Sequence, residues 1–155
     1  MENPTIDEFD LRILRALSRD GRMSIHALSE ELGLSPTPVS RRLKRLEASG
    51  IVTGFAALID EEKLGFGVSV FVSVRLDRQI DDALASFETA IKNLPEVVDC
   101  WLMTGNRDYL LRVVTRSMRE FENFLVQRLT KIKVVAAIES SIPLRRVKAG
   151  LFRML

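Results

Sequence analysis

Pro36 and Pro38 stand just ahead of Val39, Leu43 and Leu46, whose spacing is helical. Inside a helix a proline removes a hydrogen bond and clashes with the preceding turn, so both rings must fall in a first turn, where N–H groups lack intrahelical partners. With Ser35 as N-cap, Pro36 takes the first helical position and Pro38 the third. The prolines therefore mark where a helix starts. Val39, Leu43 and Leu46 form its apolar stripe, leaving Ser40, Arg41, Arg42, Lys44 and Arg45 on the other faces.

Two further helices precede it. Ile6, Phe9, Ile13 and Leu17 recur at helical spacing, and Asp20 with Gly21 ends that run. Ser24 can cap a second helix through Ile25, Leu28 and Leu32, which Gly33 can close in the left-handed conformation. Helix, short glycine turn, helix is the helix-turn-helix arrangement.

A basic helix in that context points to double-stranded DNA, because Lys and Arg neutralise phosphate and Arg can contact guanine through two hydrogen bonds. The N-terminal residues of a recognition helix sit deepest in the groove. Thr37, Pro38, Ser40 and Arg41 are thus the expected readers of base edges, with Ser35 at the cap, and Arg42, Lys44 and Arg45 the expected backbone contacts. A charged face can also simply hold water; the helix-turn-helix setting favours DNA. Residues 1–60 carry eight Lys or Arg against nine Asp or Glu, so the positive field is confined to this helix and Arg12, Arg19 and Arg22. One copy should bind weakly, and a homodimer presenting two such helices to a pseudo-palindromic operator is expected.

After Gly50 the run "IVTGFAALID" is apolar and rich in β formers, predicting strand or wing; "EEKLGFG" (61–67) reads as a linker. The expected organisation is 1–60 for the helix-turn-helix domain, 61–67 for the linker and 68–155 for a second domain. In that second domain Val68, Val70, Val72, Val74 and Leu76 alternate with Ser69, Ser73 and Arg75, a strand pattern. Ile80, Leu84, Phe87 and Ile91 return to helical spacing, closed by Leu94 and Pro95. "VVDCWLM" (97–103) and "YLLRVVT" (109–115) predict strands around the turn "TGNRD". Met118, Phe121, Leu125 and Leu129 predict another helix, and 134–142 a last strand. The class is α+β: a winged helix-turn-helix, then βαββαβ with four antiparallel strands and helices on one face.

The bulk properties exclude several alternatives. At 155 residues the chain can hold one ordinary domain or two small ones. No apolar run reaches the roughly 18 residues of a membrane helix, and "MENPTIDEFD" is acidic where a secretory signal would be basic. The single cysteine, Cys100, forms no intrachain disulfide, which fits the cytoplasm, and one His and one Cys make no ordinary zinc site. No nucleophile elbow, P-loop or dinucleotide fingerprint appears, so no enzyme, metal or cofactor is expected. His26 reads as an exposed helix residue, Cys100 as a core residue, and Trp101 and Phe71 as packing or interface aromatics.

The sequence resembles the Lrp/AsnC (feast/famine) transcription regulators from about Asp7 to Leu144. The resemblance is carried by "FDLRILRALSRDGRMSIHALSEELGLSPTPVSRRLKRLEASGIVTGFAALID" and, separately, by "MTGNRDYLLRV". It implies a ferredoxin-like (RAM/ACT-like) effector domain that builds dimers, further assembly into octamers, and an amino acid or similar metabolite bound between dimers. The implied pocket surrounds Thr104, Gly105, Asn106, Arg107 and Asp108. A turn glycine lets backbone N–H groups approach a carboxylate, and Asp108 can accept from an ammonium. Met103 and Tyr109 would border the ligand side chain, with Ser140 and Ser141 as polar neighbours. The same turn is also a serviceable hairpin loop. Asn106 departs from the acidic residue of many relatives, and Arg107 either pairs with Asp108 or favours an acidic or extended ligand. A rival reading is an architectural DNA-binding protein that uses its second domain only to oligomerise.

Overall fold

The computed structural model describes residues 5–77 and 81–148. Ile80 and residues 149–155, which enter the expectations above, lie outside the described residues. The chain divides into two compact units, one reaching to Leu58 and the other spanning Ile59–Lys148.

The first unit contains α1 (Glu8–Arg19), α2 (Ile25–Leu32) and α3 (Pro36–Ala48). Asp7 and Asp10 form a reciprocal capping box at the start of α1, each side chain accepting from the other's backbone N–H. Ser24 caps α2 by accepting from Ala27, and Gly33 ends it at φ 69°, in the left-handed region that favours glycine. The core comprises Ile13, Ala16, Leu28, Leu32, Val39 and Leu46. Phe9, expected on the apolar stripe of α1, is 37% exposed, whereas Asp10 beside it is fully buried. The run at 51–60, expected as strand or wing, forms no strand. The N–H groups of Ile51 and Val52 both donate to Leu46, and 53–60 run exposed without a pairing partner. An isolated strand has no ladder to satisfy its backbone, so β propensity alone does not make one.

The second unit contains β1 (Val68–Leu76), α4 (Asp81–Lys92), β2 (Val97–Leu102), β3 (Tyr109–Thr115), α5 (Met118–Gln127) and β4 (Val135–Ser141). The strands form one antiparallel sheet in the order β2-β3-β1-β4. Alternation decides which face is covered. Val70, Val72, Val74 and Leu76 of β1, with Tyr109, Leu111 and Val113 of β3, pack against Phe87 and Ile91 of α4 and Phe121 and Phe124 of α5. Phe71, Ser73, Leu110, Arg112 and Trp101 are left on the opposite face. On α5, Phe124 is buried while Met118 is 51% exposed; the helix stops at Gln127, and Leu129 enters the core from a short 3-10 turn. Cys100 is exposed rather than in the core, because β2 is an edge strand.

Candidate DNA-reading helix and effector turn

Pro36 and Pro38 occupy the first turn of α3 as their chemistry requires. Ser35 stands at the N-cap position, yet its side chain makes no capping hydrogen bond. A cap side chain accepts from the second or third N–H of the helix, and the third residue here is Pro38, which has none. The Ser35 hydroxyl is therefore not committed to the helix.

Along α3 the side chains divide. Thr37, Arg41, Lys44 and Ala48 recur every three to four residues, and all four are exposed. Among the described residues Arg41 and Lys44 make no ion pair. Pro38 and Ser40 are half-buried at the edges of that stripe. Arg42 and Arg45, expected to grip phosphate, turn instead toward α1. Nη1 of Arg42 donates to Asp7 at 2.6 Å and to Asp10 at 2.9 Å, and Nη2 of Arg45 donates to Asp10. The Arg42 guanidinium also lies 5.5 Å from the centre of the Phe9 ring.

The electrostatics follow from these contacts. The backbone hydrogen bond from Asp10 and the Arg42 side chain hold the Asp7 carboxyl below the ordinary aspartate value. Asp7, then Asp10, raise Arg42 further above an already high value. Two other candidate cations are also occupied. Arg12 donates to the backbone carbonyl of Glu31 at 3.0 Å, and Arg19 pairs with the Glu31 carboxylate. His26 is exposed as expected, 3.5 Å from Glu30 one turn on.

The candidate effector residues fall into three environments. Thr104, Gly105 and Asn106 are exposed at the tip of the β2–β3 turn, where Gly105 adopts φ 107°. Met103 opens the turn, 42% exposed, its N–H donating to the Asp108 carbonyl at 2.8 Å. Arg107 is half-buried and paired with Glu139 of β4, 32 residues along the chain, rather than with its neighbour Asp108 alone.

Asp108 is buried, and its Oδ2 accepts the Leu76 N–H at 2.7 Å where the β1–β4 register shifts. Tyr109, expected at the pocket border, is a core residue. Its ring packs 4.5 Å from that of Phe87 and its hydroxyl donates to Glu88 at 2.9 Å. Burial, then Glu88, push its phenol up. Ser140 and Ser141 are consecutive strand residues and so point to opposite faces: Ser140 pairs with Val72 on the helix side, Ser141 with Phe71 on the open side. The turn residues are brought together; the two serines are not.

The open face carries one further polar cluster. Arg112 donates to both carboxylate oxygens of Glu61, at 3.0 and 3.1 Å, and to Asp99 at 3.0 Å. Among the described residues no group of three or more His, Cys, Asp or Glu side chains is placed to hold a metal ion, and no helix is long and apolar enough to cross a membrane.

A three-helix unit of this geometry followed by a four-stranded ferredoxin-like unit is the plan of a two-domain transcription regulator, one domain for DNA and one for a ligand. Residues 6–53 match a winged helix-turn-helix DNA-binding family and residues 69–151 match the Lrp/AsnC ligand-binding domain. The chain belongs to the Lrp/AsnC family, whose members are regulators rather than enzymes.

It is 46% identical to the Bkd operon transcriptional regulator of Pseudomonas aeruginosa over 92% of this chain and 93% of that one. Identity to the leucine-responsive regulatory protein of Escherichia coli is 35%, covering 92% and 87% of the two chains. Among solved structures it resembles a transcriptional regulator of Neisseria meningitidis in complex with L-Met, with TM-score 0.90, 37% identity and 95% of each chain covered. An AsnC family regulator from Agrobacterium tumefaciens gives TM-score 0.88 at 32% identity, covering 96% of each chain.

Proposed function

We propose that this chain is a sequence-specific DNA-binding transcription regulator, acting in the cytoplasm as a homodimer or higher assembly, whose DNA binding or assembly responds to an amino acid or related metabolite. The exposed stripe Thr37, Arg41 and Lys44 carries the DNA half of that reading. Two copies would place two such helices in major grooves about 34–36 Å apart, or a multiple of that, on a pseudo-palindromic operator.

The ligand half rests on the turn at 103–108 and on the L-Met complex of the Neisseria relative. Small-ligand sites enclose about 70–90% of their ligand, and Thr104, Gly105 and Asn106 are exposed. A second wall is needed, and another copy of the chain is the natural source. This favours an effector held between copies in an assembly that could reach the octamer. Effector binding then changes DNA affinity only so far as it prefers one assembly over another.

The test is selection of duplexes from random DNA by the full chain, followed by light scattering and DNA titration with each of the twenty amino acids. Enrichment of a sequence, with one or more amino acids changing affinity or assembly, is expected. Enrichment with silence from all twenty would favour an architectural protein; no enrichment would refute sequence-specific recognition.

A further inference from the structure

We propose that Asp10 partitions the cationic surface of α3: its buried carboxylate withholds Arg42 and Arg45 from DNA and fixes the rotation of α3 on α1, leaving Arg41 and Lys44 to meet the duplex. The inference rests on the DNA-binding reading above and assigns Asp10 as a positioning residue for it.

Asp10 is fully buried, so its charge must be compensated by protein groups. Arg42 and Arg45 supply that compensation, and Asp7 adds a second carboxylate on Arg42. Two carboxylates and two guanidiniums make a cluster of no net charge. Pulling either arginine onto a phosphate would exchange a partner inside the protein for one in a screened, hydrated interface, and leave Asp10 undercompensated. Phosphate loses that competition.

The geometry also sets orientation. At about 100° per residue, Arg45 stands only about 40° around α3 from Arg41, close enough that position alone would put it at the DNA. The pairing with Asp10 swings it back. Arg42 lies closer to the apolar stripe and is 23% exposed in its side chain, held by Asp7, Asp10 and the Phe9 ring. Any roll of α3 that lifted Arg42 toward a groove would break these contacts together. Each copy therefore offers two cations from α3 rather than four.

The experiment measures affinity of the full chain for its selected duplex and for a random duplex of equal length across a range of KCl. Each phosphate contact contributes about 0.9 to the slope of log affinity against log salt. Arg41→Gln and Lys44→Gln should each make that slope shallower by about one unit per copy. Arg42→Gln and Arg45→Gln should leave it unchanged, while Arg42→Gln narrows the preference for the selected duplex.

Asp10→Asn keeps size and hydrogen-bond acceptor but loses the charge. It should steepen the slope by about one unit per copy and tighten binding to random DNA. An unchanged slope in folded Asp10→Asn, or a loss in Arg42→Gln or Arg45→Gln equal to that in Arg41→Gln, overturns the proposal. Arg45 is half exposed, so its variant tests the point even if Asp10→Asn does not fold. A selection that enriches no sequence defeats the DNA-recognition reading itself, a result distinct from either.

Discussion

The carboxylate of Asp10, without exposed surface, accepts from Arg42 at 2.9 Å across 32 positions of chain. This pair joins the first helix to the third through charge in a unit otherwise packed by aliphatic side chains.

Replacing Asp10 with Ala removes both the compensating charge and half of the α1 capping box. Breaking a fully buried pair costs about 3–5 kcal/mol. Water reaches both arginines here, so a loss of about 2–3 kcal/mol is expected, read as a lower urea midpoint for the helical unit. An unchanged midpoint would show that the pair contributes nothing to stability.

Acid should loosen the same unit. The Asp7 carboxyl is held below the ordinary value of 3.8, so its contribution is complete above that value and disappears as pH falls through the lowered one. Thermal stability of the helical unit should decline as pH falls below about 4, and Asp7→Asn should flatten that decline. An identical pH profile in the variant would contradict the assignment.

Alkali acts on the other unit. Burial raises the Tyr109 phenol above its ordinary 10.0; its contribution is present below that pH and is lost as pH rises through the folded value. The chain has one tyrosine, so phenolate absorbance reports it alone. Ionisation should lag that of a free tyrosine and coincide with unfolding. Titration near 10 in a folded chain would place the hydroxyl in solvent.

Asp108→Ala leaves the Leu76 N–H without its acceptor at a buried point of the sheet. A cost of about 1–3 kcal/mol is expected in chemical unfolding of the sheet unit. Asp108→Asn keeps an acceptor and is the better variant for testing the proposed effector site. A fully stable alanine variant would mean that the register shift at Arg75–Leu76 does not depend on this carboxylate.

Phe71 and Leu110 lie half-buried on the uncovered sheet face. If that face pairs two copies, Phe71→Glu should yield monomers by light scattering at micromolar concentration while circular dichroism stays unchanged. A persistent dimer would locate the contact elsewhere.

Features set by neighbours in sequence were legible before the structure. The prolines locate the start of α3, and alternation locates β1, because periods of 3.6 and 2 are local properties. Features set by distant partners were not. Nothing near Asp10 announces Arg42 and Arg45, so helical spacing alone turns Phe9 inward, the place that an aspartate holds. Asp7 and Asp10 did carry a readable capping-box spacing, but not their second role. The exposure of Cys100 is not legible because strand order, which leaves β2 at an edge, is not written in β2 itself. In the candidate effector turn the residue types are legible, whereas the inward course of Asp108 and Tyr109 and the Arg107–Glu139 pairing depend on where β1, β4 and α4 lie.

The two rings at the start of α3 have a thermodynamic consequence. Each freezes a backbone torsion while the chain is still unfolded, so this end of the helix would give up little further freedom on meeting a duplex, if it reads DNA as proposed. Recognition by such an end would be close to rigid docking, a sequence difference in the groove being met by the fit of a fixed shape rather than by local rearrangement.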